Sequence, residues 1–341
     1  MNGIYTRLSL ACLLGLILLA ASSCICVVGC GDWNAMAKYE RQVDLSAPLE
    51  PGSSFSAETR DGSITLEGTQ TAECSLVATI RTRAATVEEA AELAEQIQVR
   101  LEPTGAVLKV VIDKPATIRN AHYGVSLTGT VPTQTNLLLV TSDGSVHIAN
   151  IEGTVDARTS DGSIEIKGIK GDTKLKTSDG RITCTRVEAG TLDVHTSDGG
   201  IKLEDMNAKT CTARTSDGTI TLTTVRADSL DLHTSDGSIR CHGIAAAEMK
   251  CRTSDGSVQI ECAADAPNVI DATISTSDGS ITFTAPPGLS AVVDASTNDG
   301  SVNTALPITV EGKVGKSLRG TIGNGEGRLI LKTHDGSIHI R

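Results

Sequence analysis

The tetrapeptide Thr-x-Asp-Gly occurs eleven times in this chain, with its aspartates at Asp61, Asp143, Asp161, Asp179, Asp198, Asp217, Asp236, Asp255, Asp278, Asp299 and Asp335. From Asp143 to Asp255 the copies are 18, 18, 19, 19, 19 and 19 residues apart, followed by steps of 23, 21 and 36. A catalytic centre needs one constellation of side chains. A turn repeated at constant spacing belongs instead to a stacked repeat architecture.

Each unit carries the same pattern. After Asp-Gly come a small residue, an Ile or Val, a variable residue and another apolar one, as in Ile164-Glu165-Ile166 and Ile220-Thr221-Leu222. This alternation predicts a strand with one buried face. A connection holding one more apolar residue follows (Ile169, Val187, Met206, Val225, Ile244), and a second alternating strand leads back to the motif, as in Leu192-x-Val194-x-Thr196. Parity points the motif threonine inward. Asp-Gly reads as a turn pair, the aspartate bonding locally and the glycine accepting positive φ. A hairpin meander would alternate two kinds of turn. An unvarying turn at constant step predicts an all-β, parallel β-solenoid of coils of 18–19 residues, about 4.8 Å apart, with right-handed crossovers. In this phase Cys184 and Cys241 share the column of Ile166, Leu203 and Leu222, and Cys211 shares that of Leu192 and Leu230. Cys251 falls with Val194 and Ala213. All four read as small core residues, although Cys241 and Cys251, on facing strands of adjacent coils, could be bridged.

The ends differ in character. Residues 1–30 read as an export signal, with a short basic start at Arg7 and an apolar run, "LSLACLLGLILLAAS". Two cysteines sit where a lipobox would end. Val27-Val28-Gly29-Cys30 has the branched apolar and small residues such a site favours, so Cys30 is the expected lipid anchor. Cys24 is the alternative. An uncleaved membrane anchor and an ordinary cleaved signal peptide are the rival readings, and all three place the rest outside the cytoplasm. Residues 31–50 read as a linker, 51–135 as a small α+β N-terminal cap and 136–341 as the solenoid. The cap holds one early repeat, "TRDGSITLEG", and a helix over 86–99 with Thr86 as N-cap and Ala90, Leu93, Ala94 and Ile97 on one face.

From about residue 45 the chain resembles the bacterial adhesin-like domains of unknown function known as DUF4097, relatives of the auto-transporter adhesin head domains. The resemblance rests on "TVEEAAELAEQIQVRLEPTGAVLKVVID", "VPTQTNLLLVTSDGSVHIANIEG", the repeats, and "LRGTIGNGEGRLILKTHDGSIHI". It implies an all-β solenoid in the cell envelope, and it carries no catalytic residues that could be transferred.

The chemistry follows the repeats. In register, Asp143, Asp161, Asp179, Asp198, Asp217, Asp236, Asp255, Asp278 and Asp299 would form a turn ladder along one edge. Calcium could neutralise such a row. The favoured expectation is that each carboxylate accepts backbone N–H groups in its own turn and that the basic residue three before it (Arg158, Lys176, His195, Arg214, His233, Arg252) adds charge compensation. No metal or other cofactor is then required. His195 and His233 lie two coils apart, too far to share one metal ion. No Cys-x-x-Cys pair occurs, and copies that replace His by Arg or Lys would lose any base. A formal net charge of −11 disfavours nucleic acid. A polysaccharide-acting β-helix enzyme is a remote alternative, because the coils are short and only 2% of residues are aromatic. The expectation is a non-catalytic, envelope-anchored solenoid with a structural or adhesive role. Its partners would be the membrane through its anchor and an envelope glycan or protein. The alternative is a calcium- or glycan-binding surface module.

Overall fold

The computed structural model describes residues 24–25, 36–118, 120–310 and 315–341. The centre of the molecule is a parallel β-solenoid. Ile164 pairs with Ile182, Ile182 with Ile201, Ile201 with Ile220, Ile220 with Ile239 and Ile239 with Val258, each one coil further along. Because register is constant, each interior position becomes a column. Ile166, Cys184, Leu203, Leu222, Cys241 and Ile260 form one. Leu192, Cys211, Leu230 and Met249 form another on the facing side. These side chains are buried, so every coil covers the apolar faces of its neighbours, which a single coil could not do alone.

The chain bends without interrupting the ladder. Ile182–His195, Ile201–Arg214, Ile220–His233 and Ile239–Arg252 are each one continuous strand of 14 residues. In these four coils the expected second corner is therefore a kink within a paired strand, and the full break falls at the Thr-x-Asp-Gly motif; the coils of residues 146–158 and 164–176 keep a second break, at 153–154 and 171–172. The kink is taken up by one left-handed residue per coil: Asn150, Gly168, Arg186, Asp205, Thr224 and Gly243, with φ between 55° and 67°.

The N-terminal region departs from the expected boundaries. Residues 37–48 are not a linker. The strand Ala37–Pro48 pairs antiparallel along its whole length with Glu73–Ala84, which pairs antiparallel with His122–Pro132. The alternation that marks these strands is weak in Ala37–Pro48, where Arg41 alone is buried. The helix spans Val87–Gln96; the Thr86 hydroxyl accepts from the Glu89 N–H, and Ala90, Leu93 and Ala94 face the core. The buried Arg41 guanidinium closes the other end of the helix by donating to the Ile97 carbonyl at 2.5 Å.

Solenoid coils also begin inside the segment expected to be only a cap, and their order in space is not their order in sequence. Ser54–Glu58 and Ile64–Thr69 form a coil that pairs on one side with Asn136–Val140 and Val146–Glu152. On its other side lie Val107–Asp113 and His122–Pro132. The coil of residues 107–132, later in the chain, thus occupies the outermost place. The C-terminal end repeats the device. Ile281 pairs with Ile338, and Ile338 pairs with Val302. Asp271–Ser275 pairs with Gly327–Lys332, which pairs with Ala291–Ser296. The last coil of the chain is slotted between two earlier ones. Beyond it, Ser317–Ile322 and Thr309–Val310 add antiparallel strands. Each end therefore stops in antiparallel pairing, which blunts the parallel edge that a simple stack would expose.

Candidate functional site

The repeated corner is held by threonine and glycine rather than by aspartate. Thr196 is fully buried, yet its hydroxyl is fully used. It donates towards the Gly180 and Ser178 carbonyls of the preceding coil, both at 3.0 Å, and accepts the Gly199 N–H of its own coil at 3.3 Å. Thr159, Thr177, Thr215, Thr234, Thr253 and Thr276 repeat this arrangement. The Ser178 carbonyl in addition accepts the N–H groups of Ser197 and Asp198. A polar ladder therefore runs through an otherwise apolar interior with its donors and acceptors matched, as buried polar groups require.

The glycines serve close approach, not positive φ. None of the motif glycines is left-handed. A Cβ on Gly199 would lie 1.9 Å from the Gly180 carbonyl oxygen, and one on Gly218 would lie 2.0 Å from that of Gly199. Successive coils touch backbone to backbone at this corner, and only glycine permits it.

All nine ladder aspartates lie exposed at this corner, in the spatial order Asp143, Asp161, Asp179, Asp198, Asp217, Asp236, Asp255, Asp278 and then Asp299, with Asp335 between the last two. Among the described residues, the carboxylates of Asp161, Asp179, Asp198, Asp217, Asp236, Asp255 and Asp278 make no hydrogen bond and no ion pair. The backbone bonds expected of them are made by the threonine hydroxyls, whose inward parity brings them to the same N–H groups. The charge compensation also goes elsewhere. Arg158 pairs with Asp156 at 2.7 Å and Arg214 with Asp231 at 2.7 Å, both on the flat outer face of the coil. These two arginines therefore pair with carboxylates other than those of the corner. Only the ends of the row are partnered. Asp299 meets Lys316 at 3.1 Å and Asp335 meets His334. Asp61 shares a hydrogen bond with Asp143; partial burial, then that bond, raises the Asp61 carboxyl above its usual range.

Among the described residues no group of three or more His, Cys, Asp or Glu side chains stands close enough to hold a metal ion. Arg214 lies between His195 and His233 in register. Burial, followed by the charges of Lys176 and Arg214, holds the His195 imidazole below its ordinary value. The six cysteines of the folded region are free. Burial pushes the Cys211 and Cys251 thiols up to about 12, so neither is a nucleophile at neutral pH. Cys30 lies outside the described residues, and only the backbone pairing of Cys24 with Arg41 is described at the other candidate anchor. No helix among the described residues is long and apolar enough to cross a membrane.

The sequence pattern did not point to a second feature, a groove of about 630 Å³ running along the stack beside the kink. Its floor is the left-handed column, Asn150, Gly168, Arg186, Asp205 and Thr224. One wall carries Lys170, Glu188 and Arg226. A non-glycine residue at positive φ is uncommon, and a β-branched one such as Thr224 is strained. The recurrence of Asn, Gly and Asp at one repeat position was the available signal. Charges in the groove are mixed and partly paired, Lys170 with Glu152 at 3.4 Å and Arg226 with Asp265 at 2.6 Å.

Short parallel coils, a threonine–glycine corner and antiparallel ends define a class of short-coil β-solenoids. The Toastrack DUF4097 family model matches residues 167–341, just over half of the chain, and the chain belongs to that family. Among solved structures it is similar to a "putative adhesin" from Parabacteroides distasonis, with 11% identity over 88% of this chain and 97% of that one and a TM-score of 0.45. It is also similar to a "putative adhesin" from Parabacteroides merdae (13% identity, 88% and 96% covered, TM-score 0.43). A "putative lipid binding protein" from Parabacteroides distasonis gives 14% identity, 88% and 96% coverage and a TM-score of 0.40. No curated protein matches the chain.

Proposed function

We propose that this protein is a membrane-anchored, extracytoplasmic scaffold of the cell envelope, with a structural or adhesive role and no catalytic one. The observation that carries the reading is the threonine ladder, continuous from Thr141 through Thr333 to Thr297. A core fixed coil by coil through matched buried hydrogen bonds gives a stiff body with regularly spaced outer faces, suited to spacing or multivalent contact. The apolar leader and the Cys30 site, with Cys24 as alternative, supply the anchor in this reading, and an envelope glycan or protein is the partner. A divalent-cation module is the second reading, favoured by the seven unpartnered carboxylates of the corner.

Cells carrying the full chain should incorporate an alkyne fatty acid into it, with incorporation lost on Cys30→Ser. The same cells should adhere to glycan- or matrix-coated surfaces better than cells without it. Absence of labelling removes the lipid anchor. Unchanged adherence and unchanged envelope integrity on deletion together refute the role.

A further inference from the structure

The outermost coil has no Thr-x-Asp-Gly motif, and its corner is built differently. Leu108 and Leu127 pair with Phe55 and Ile64 of the next coil. The first two are 19 residues apart in sequence and the second two only 9 (127 − 108 against 64 − 55), so the outer corner carries ten additional residues. The longer path leaves a hollow of about 430 Å³ at the N-terminal end of the aspartate row. Its chemistry is opposite to that of the chain as a whole. Arg60, Lys109 and Lys114 line it, against one acid, Glu58, in a protein of formal net charge −11. Arg60, in the coil next to the outermost one, stands where eight of the other copies place serine, at Ser142, Ser160 and onwards. It lies 3.7 Å from Asp61 and remains exposed.

The hollow also holds Tyr123, the single aromatic residue among its lining side chains. The ring is half-buried and fixed in place, with the Lys114 Nζ donating to its hydroxyl at 2.6 Å and standing 5.2 Å from the ring centre. Val111 and Ile112, both partly exposed, continue the apolar wall. An aromatic face with an apolar wall and several cations is complementary to a ring that has one apolar face and carries a carboxylate. A plain inorganic anion would use the cations and leave the wall wet. A neutral sugar would use the wall and leave the cations unpaired.

We propose that this hollow is a binding site for an acidic saccharide of the uronic-acid class, with Arg60 and Lys109 receiving the carboxylate and Tyr123 the sugar face. The inference deepens the adhesive reading and rests on it. Attachment that does not involve uronate would leave that reading in place and remove this one. The test uses the detergent-solubilised full chain and oligogalacturonate, with its methyl ester as the ring without the charge and inorganic phosphate as the charge without the ring. Calorimetry should show oligogalacturonate binding that weakens as salt rises, and at least about tenfold weaker binding of the ester. Lys109→Gln, at an exposed position, should weaken it by about tenfold with unchanged melting temperature, and Tyr123→Phe should retain it. No binding, equal binding of acid and ester, full competition by equimolar phosphate, or no effect of Lys109→Gln each overturns the assignment.

Discussion

Replacing Thr196 by valine isolates what the buried hydroxyl contributes. The two side chains have nearly the same shape, so the column stays filled and no cavity opens. The hydroxyl, however, serves three backbone groups. The Ser178 carbonyl keeps its bonds from Ser197 and Asp198. The Gly199 N–H and the Gly180 carbonyl lie in buried residues and lose their partner. An unsatisfied buried group costs about 1–3 kcal/mol. The 3.3 Å contact from Gly199 belongs at the low end of that range. The additional methyl regains about 0.8 kcal/mol. The expected net loss is about 1–3 kcal/mol, a fall in melting temperature of roughly 2–12 °C at 2–4 °C per kcal/mol. Thr196→Ser keeps the hydroxyl and loses a methyl, so it should cost about 1 kcal/mol. The assay is urea unfolding followed by circular dichroism, with amide exchange of Gly199 as a local reporter. Exchange at Gly199 should accelerate in the valine variant and stay slow in the serine variant. If valine proves no worse than serine, the ladder is not what holds the corner.

Gly218→Ala should be among the most damaging single changes, about 4 kcal/mol or more, because its Cβ meets backbone rather than a movable side chain; Gly200→Ser, at a position where other coils carry serine, should be tolerated in the same melts. Asp217→Asn should change stability by less than about 0.5 kcal/mol, since the carboxylate is exposed and unbonded. Calcium should move the wild-type melting temperature little relative to EDTA, and a large calcium-dependent rise lost in this variant would promote the cation-binding reading. Asp61→Asn tests the raised carboxyl. A group whose folded pKa exceeds its unfolded value of 3.8 gives stability below that value and loses it as pH rises through the folded one. The variant should therefore be more stable than wild type at pH 7, with the gain vanishing as pH falls towards 3.8, and a gain that grows on acidification would refute the assignment. Thr224→Gly should stabilise by about 1 kcal/mol through relief of left-handed strain, which the coils with Gly168 and Gly243 at this position do not bear.

The regular part of the fold was legible because strand parity and a constant step fix register together. Ile166, Cys184 and Leu203 had to share a column once their distances to Asp-Gly were equal. The ends were not legible for the same reason. The outermost coil, 107–132, lacks the motif, and nothing local in Gly327–Lys332 marks it as a filler between two earlier coils. The step of 36 residues before Asp335 was the only trace. At the corner the residue types were visible but their roles were exchanged. Aspartate is the familiar turn acceptor, yet Thr196 reaches the N–H group first from inside. The motif glycine is explained by the neighbouring coil, which a single repeat cannot display. The kink is hard to read from sequence because Arg186 and Thr224 conceal a conformation that Gly168 and Gly243 announce.

The interleaved ends have a consequence for how such a protein can change length. A stack whose last coil simply lay on the one before could gain or lose units at its tip. Here both tips are interlocked, and trimming the final fifteen residues would leave an empty slot between Ile281 and Val302 rather than a shorter rod. Growth is confined to the interchangeable middle, between Asp143 and Asp255, where one more segment of 19 residues would move the far tip outward by about 4.8 Å. The molecule behaves as a ruler with fixed finials and removable graduations, and its length is set by counting.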